Sequence, residues 1–140
     1  MMPRLVFTVG GAPVPQSRTN TSTSGVRFTP KRTRDYQKLV ARTAVDAMRA
    51  QGWESGVGPY AVTLLVTRKH MRGDLDNFAK AALDGMNRVV FADDRHIHVL
   101  YVQFAGDDGV GEPRLDVVID QLEPRAPKSK AKRARKSVTP

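Results

Sequence analysis

The chain has 140 residues, 40% of them hydrophobic, with 23 Lys or Arg against 14 Asp or Glu and no cysteine. That length suits one domain with one core, and the lack of cysteine excludes disulfides, thiolate metal ligands and a cysteine nucleophile. No apolar run approaches membrane-spanning length, and Leu5 to Val9 before Gly10-Gly11 is too short for a signal-peptide core, so a cytoplasmic protein without a membrane partner is expected.

The charge is unevenly spread. Residues 1–123 hold sixteen Lys or Arg against fourteen Asp or Glu, a net of +2, while Arg125, Lys128, Lys130, Lys132, Arg133, Arg135 and Lys136 follow with no acid among them. A stretch whose only large apolar residue is Val138 cannot bury enough surface to fold alone. The expected organisation is therefore a folded domain over 1–123 and a disordered basic tail over 124–140 that touches phosphates.

In chain order, Arg4 to Val9 has the β-branched and aromatic content of a strand, and Gly10 to Gly25 is a long Gly/Pro/Ser/Thr-rich loop. Thr29-Pro30 reads as an N-cap followed by proline in the first helical position, opening a helix to about Gln51 with Gly52 as its stop. One face of that helix gathers Tyr36, Val40, Thr43, Ala44 and Ala47, and the opposite one Lys31, Arg34, Lys38, Arg42 and Arg49. Tyr60 to Thr67 alternates as a second strand, and His70 to Gly73 turns the chain.

A second helix is expected from about Leu75 to Val90. Its apolar side carries Leu75, Ala79, Ala82, Leu83, Met86 and Val90, while Asp76, Asn77, Lys80, Asp84, Asn87 and Arg88 fall within a polar arc of roughly 120°. After Asp93-Asp94, His96 to Phe104 and Arg114 to Leu122 read as two strands joined by a Gly106-to-Gly111 hairpin loop. The order is β-α-β-α-β-β, and the simplest architecture is an α+β domain: a four-stranded mixed sheet covered on one face by two helices.

Carboxylates concentrated between Asp74 and Asp94, in an otherwise basic chain, point to a divalent metal site acting on phosphates. Asp74 and Asp76, two apart where turn meets helix, can converge on one cation. Asp94 joins them only if the Phe91-Ala92 turn closes tightly. Lys80, one turn beyond Asp76, is placed to hold a scissile phosphate. Taken alone, Asp74 and Asp76 would be a helix cap and a surface acid, and Asp84 and Asn87 structural hydrogen-bonding residues. Arg18, Lys31 and Arg32, with Arg72 in the turn, are the candidate DNA phosphate contacts, and Arg34 and Lys38 extend them along a face that otherwise would simply be solvated. His96 and His98 have no partner spacing for zinc, and Trp53 and Phe28 read as core rings before base-stacking ones. An EF-hand starting at Asp74 fails, since Ala79 and Gly85 stand where glycine and glutamate are needed. A nucleotide-sugar transferase would need a larger donor-binding domain and a Gly-rich loop.

The run Asp74-Leu75-Asp76-Asn77, Lys80, Asp84, Asn87 and Asp93-Asp94 resembles the RusA-like Holliday junction resolvases, as do the strand leading to Gly11, the Pro13-Val14-Pro15 segment and the Phe28-Thr29-Pro30 helix entry. The resemblance covers about residues 5 to 122. It implies a homodimer that binds branched DNA, namely four-way junctions, and cuts two opposing strands symmetrically with magnesium, or manganese as substitute, in recombination and repair. Residue by residue it implies Asp74, Asp76 and Asp94 as metal ligands and, with Lys80, as catalytic residues. Gly73 departs from the family where a basic residue often precedes the motif, and Val89-Val90 where the helix exit often carries glycine. If the chain is phage-encoded, the host cytoplasm is its compartment. The competing readings are a non-catalytic basic DNA-binding protein and a related nuclease preferring forks and flaps.

Overall fold

The computed structural model describes residues 2–16, 20–21, 25, 27–105 and 111–123. Four strands form the sheet: β1 (Arg4–Gly10), β4 (Tyr60–Thr67), β5 (Ile97–Phe104) and β6 (Arg114–Gln121). Between β1 and the first helix, the expected loop contains a short antiparallel ribbon, β2 (Asn20–Thr21) with β3 (Arg27–Phe28). The helices are α1 (Lys31–Gln51) and α2 (Leu75–Met86). The expected two-helix, mixed-sheet α+β architecture and its element order are what the chain adopts.

Period-two alternation fixes the inner face of the sheet. Leu5, Phe7 and Val9 of β1, Val62, Leu64 and Val66 of β4, and Leu115, Val117 and Ile119 of β6 are all buried. Tyr36, Val40 and Ala44 from α1, and Phe78, Ala79, Ala82 and Met86 from α2, lie on that face. Trp53, Tyr60 and Phe91 close one end, with ring centroids 5.7 and 5.9 Å apart, and the indole N–H of Trp53 donates to the Val90 carbonyl at 2.9 Å. Trp53 is thus a core ring. The side chain of Phe28 lies outside the described residues.

Helix α1 begins one residue later than its sequence signals suggest: Pro30 is itself the cap residue, with φ −56° and ψ 147°. Its other end is as expected, because Gly52 takes the left-handed conformation that glycine adopts without penalty. Helix α2 ends at Met86 rather than near Val90. Arg88 turns the chain with φ of 64°, and the N–H groups of Val89 and Val90 both donate to the Met86 carbonyl, so the apolar period continues while the helix does not.

The expected hairpin between the last two strands is absent. The sheet order is β1-β6-β4-β5, with β5 parallel to β4 and β6 antiparallel to both β1 and β4. After β5 the chain crosses over and inserts β6 into the centre. Hydrophobic alternation reports which face of a strand is buried, not which strand lies beside it.

The helices approach closely at Gly85. A Cβ there would stand 2.8 Å from the Gln37 carbonyl oxygen and 3.0 Å from the Val40 Cβ. Gly85→Ala is therefore expected to cost about 1–3 kcal/mol through forced separation of the two helices, measured as a lower denaturation midpoint at unchanged m-value. A midpoint equal to that of the parent would show that α1 and α2 yield freely. No helix among the described residues is long and apolar enough to cross a membrane.

Candidate active-site groove and basic flank

Strand β4 ends at Thr67, and the turn leading to α2 is clamped from two sides. Gly73 has φ of 92°, and a Cβ on it would stand 2.8 Å from the Phe78 ring. A basic side chain at this position would be both strained and obstructed, which accounts for glycine there. The Arg68 guanidinium donates to the Gly73 carbonyl at 3.0 Å and stacks 3.7 Å from the centroid of the Phe104 ring. The Gln16 N–H donates to the Asn77 carbonyl at 2.8 Å, tying the N-terminal loop to the first turn of α2.

Asp74 occupies the N-cap position, yet its side chain makes no capping hydrogen bond. Among the described residues neither Asp74 nor Asp76 belongs to an ion pair. The plain alternative, in which Asp74 serves to cap the helix, therefore has no bond to support it. Asp76, Lys80 and Asp84 follow one another at i, i+4 on the exposed face of α2. They rim a solvent-open groove of about 650 Å³ between α2 and β5, floored by Leu75, Ala79, Leu83, Leu100 and Val102, with Asp94 also on its wall.

Asp94 opens a short 3-10 turn (Asp94–His96) capped by Asp93, whose carboxylate accepts from the Arg95 N–H at 3.0 Å. That bond lowers the Asp93 pKa, with hydrogen bonding to Asp94 and the charges of Arg95 and Arg88 adding to it. Asp93 thus spends its carboxylate on the turn. The Asp94 N–H donates to the Asn87 side-chain oxygen at 3.0 Å, and Asn87 is the C-cap of α2. Asp84 senses this neighbourhood: partial burial raises its pKa, Lys80 opposes the rise, and the charge of Asp94 adds to it.

The candidate residues consequently divide. Asp76, Lys80, Asp84 and Asp94 share one groove, but Asp94 is held beside Asn87, eleven residues and about 16 Å of helix rise beyond Asp76. Asp74 does not line the groove. Among the described residues no group of three His, Asp or Glu side chains stands close enough to hold a metal ion. The convergence expected of a tight Phe91-Ala92 turn is therefore not seen among the described residues. The cause is topological: β5 is parallel to β4, so the segment entering β5 sits at the end of the layer opposite to the turn that leaves β4. The donor set itself, carboxylate oxygens without sulfur or paired histidines, suits a hard cation such as magnesium or manganese.

A second concavity of about 380 Å³ adjoins the Asp74 end, lined by Pro13, Pro15, Gly73 and Phe78 together with Arg32, Arg68, Lys69, His70 and Arg72. Two candidate phosphate contacts, Arg32 and Arg72, meet here. Arg68 and Lys69 escaped sequence reasoning, although the basic run Arg68-Lys69-His70 ends only four residues before Asp74. Lys31 pairs with Asp35 at 3.1 Å, Arg34 and Lys38 are exposed on α1, and Arg18 lies outside the described residues.

No curated protein matches the chain. The profile of the endodeoxyribonuclease RusA family matches residues 10–120, most of the length, and spans both the basic concavity and the groove. With a nuclease family's profile running over that juxtaposition of basic and acidic walls, the chain belongs to the RusA endodeoxyribonuclease family.

Proposed function

We propose that this protein is a divalent-metal-dependent Holliday junction resolvase that acts as a homodimer and introduces symmetric paired nicks. The observation that carries this reading is the adjacency of a cationic concavity to unpaired aspartates at the N-terminus of α2. Asp74, Asp76 and Asp94 are the groups that would bind magnesium or manganese. Polarisation of the scissile phosphate and a more acidic attacking water are the chemistry that such a cation supplies when bound.

The side chains divide the remaining work. Arg32 and Arg72, with Arg68 and Lys69 beside them, offset the charge of the DNA backbone and hold it against the turn that carries Asp74. The Lys80 ammonium, one helical turn from Asp76, counters the charge that grows on the phosphate oxygens during displacement. Gly73 and the bond from Arg68 to its carbonyl keep the turn close to Phe78, so that the two aspartates enter the helix in a fixed direction.

The test uses a synthetic four-way junction, a fork, a flap and a linear duplex of matched sequence. Paired, symmetric nicks in the junction with magnesium, suppressed by a chelator, are expected. Junction binding without cutting in magnesium or in manganese would favour the non-catalytic DNA-binding reading, and stronger cutting of forks or flaps would reassign the substrate.

A further inference from the structure

We propose that Met71 is a wedge: it enters the base stack where DNA strands branch, and so makes the site select branched DNA over continuous duplex. This deepens the nuclease reading above and rests on it for the cutting step, while the wedge itself needs only that branched DNA binds.

A singly exposed apolar side chain is ordinary on a protein surface, so exposure alone decides nothing. Met71 differs in how it is held. It is 79% exposed, more than any other large apolar residue among those described. It stands at the apex of a three-residue turn in which the Arg72 N–H donates to the His70 carbonyl at 2.7 Å. Met71 lies outside the left-handed region, which makes this the unstrained form of such a turn. Two residues further on, Gly73 reverses the chain with φ of 92°, and the Arg68 guanidinium closes the base of the excursion by donating to the Gly73 carbonyl at 3.0 Å. Stacking of Arg68 on the Phe104 ring, 3.7 Å from its centroid, anchors that clamp to the sheet. Because the turn is ordered before anything binds, inserting its tip loses little backbone freedom.

The neighbours of Met71 identify what covers it. His70 and Arg72, on either side, both line the cationic concavity with Arg32, Arg68 and Lys69. Phosphates drawn to those groups bring the bases of the same strand over the tip of the turn. Such a cationic collar favours a nucleic acid over a basic or purely apolar protein partner. Methionine suits the task, because its long, polarisable side chain makes favourable sulfur contacts with aromatic rings and is among those that proteins insert between base steps. In continuous duplex the insertion must break an intact stack. At a branch point the stack is already interrupted, so the same insertion costs less. Asp74 follows Met71 by three residues, which sets the unstacked step beside the candidate cleavage centre.

The base analogue 2-aminopurine, whose fluorescence is quenched by stacking, reports insertion directly. It is placed at the exchange point of a synthetic four-way junction and at the matching position of a linear duplex, with a chelator present so that no strand is cut. Wild-type protein at saturation is expected to raise the junction signal several-fold and to leave the duplex signal unchanged. Met71→Ala should lose most of that rise, whereas Met71→Leu should keep it. In Met71→Ala the binding preference for junction over duplex should also fall roughly three- to tenfold, at an unchanged salt slope, since no phosphate contact is removed. A thermal melt equal to that of wild type shows that the variant is folded. An equal rise with Met71→Ala, or no rise with wild-type protein bound, overturns the wedge. Unstacking without cutting in magnesium or in manganese would mean that the nuclease reading has failed and the wedge has not. Cutting of junctions without unstacking would mean the reverse.

Discussion

Asp76→Asn is expected to slow junction cleavage on the order of 1,000-fold or more, while junction affinity stays within a few-fold and the melting temperature is unchanged. Asp76 is exposed in the first turn of α2 and joins no ion pair among the described residues. The substitution preserves shape and removes one negative charge, so neither packing nor DNA repulsion worsens. What it removes is an anionic oxygen donor for a cation. Single-turnover cleavage at saturating enzyme, run beside a binding titration and a thermal melt, separates these effects. Full cleavage by the variant would remove Asp76 from the chemistry, whereas a lower melting temperature would give it a structural role instead.

Deleting residues 125–140 is expected to flatten the log–log salt dependence of junction binding by about 4 to 5 units if four to six phosphates are contacted. Seven of the chain's 23 basic residues lie in that stretch, and residues 1–123 are close to neutral by formal charge. The counterions released by the domain alone must come from local patches such as the Arg32–Arg72 concavity. The cleavage rate at saturation should not change, because no candidate catalytic residue is removed. A salt slope equal to that of the full chain would make the tail a bystander.

Much of this architecture is legible in the letters, for reasons that differ by element. Strands β1, β4 and β6 have inner faces of aliphatic or aromatic residues at every second position, and α1 has a buried stripe with a glycine stop. Local periodicity encodes these elements, so the sequence reveals them. The neighbours of β5 are a non-local property. Its apolar residues on both faces suit a buried central strand as well as the edge position it occupies, and only the sheet order separates the two. The burial of Phe78 escaped notice because its position falls between the apolar stripe and the polar arc of α2, while its ring packs edge-on against Phe104, 26 residues away.

The candidate site follows the same division. That Asp74, Asp76 and Lys80 share one end of a helix is a consequence of spacing and could be read directly. The position of Asp94 depends on the direction of β5 relative to β4, which no local pattern states. Its anchor, the bond from its N–H to Asn87, makes that polar helix residue the determinant of where the acid sits. Arg68 and Lys69 acquire significance only when the turn folds them beside Arg32.

Anomalous diffraction from manganese-soaked crystals tests most directly whether these aspartates hold a hard cation. The account predicts a peak beside the carboxylate oxygens of Asp74 and Asp76 at the N-terminus of α2. No manganese at Asp74 or Asp76, in crystals that do bind the ion elsewhere, would contradict it.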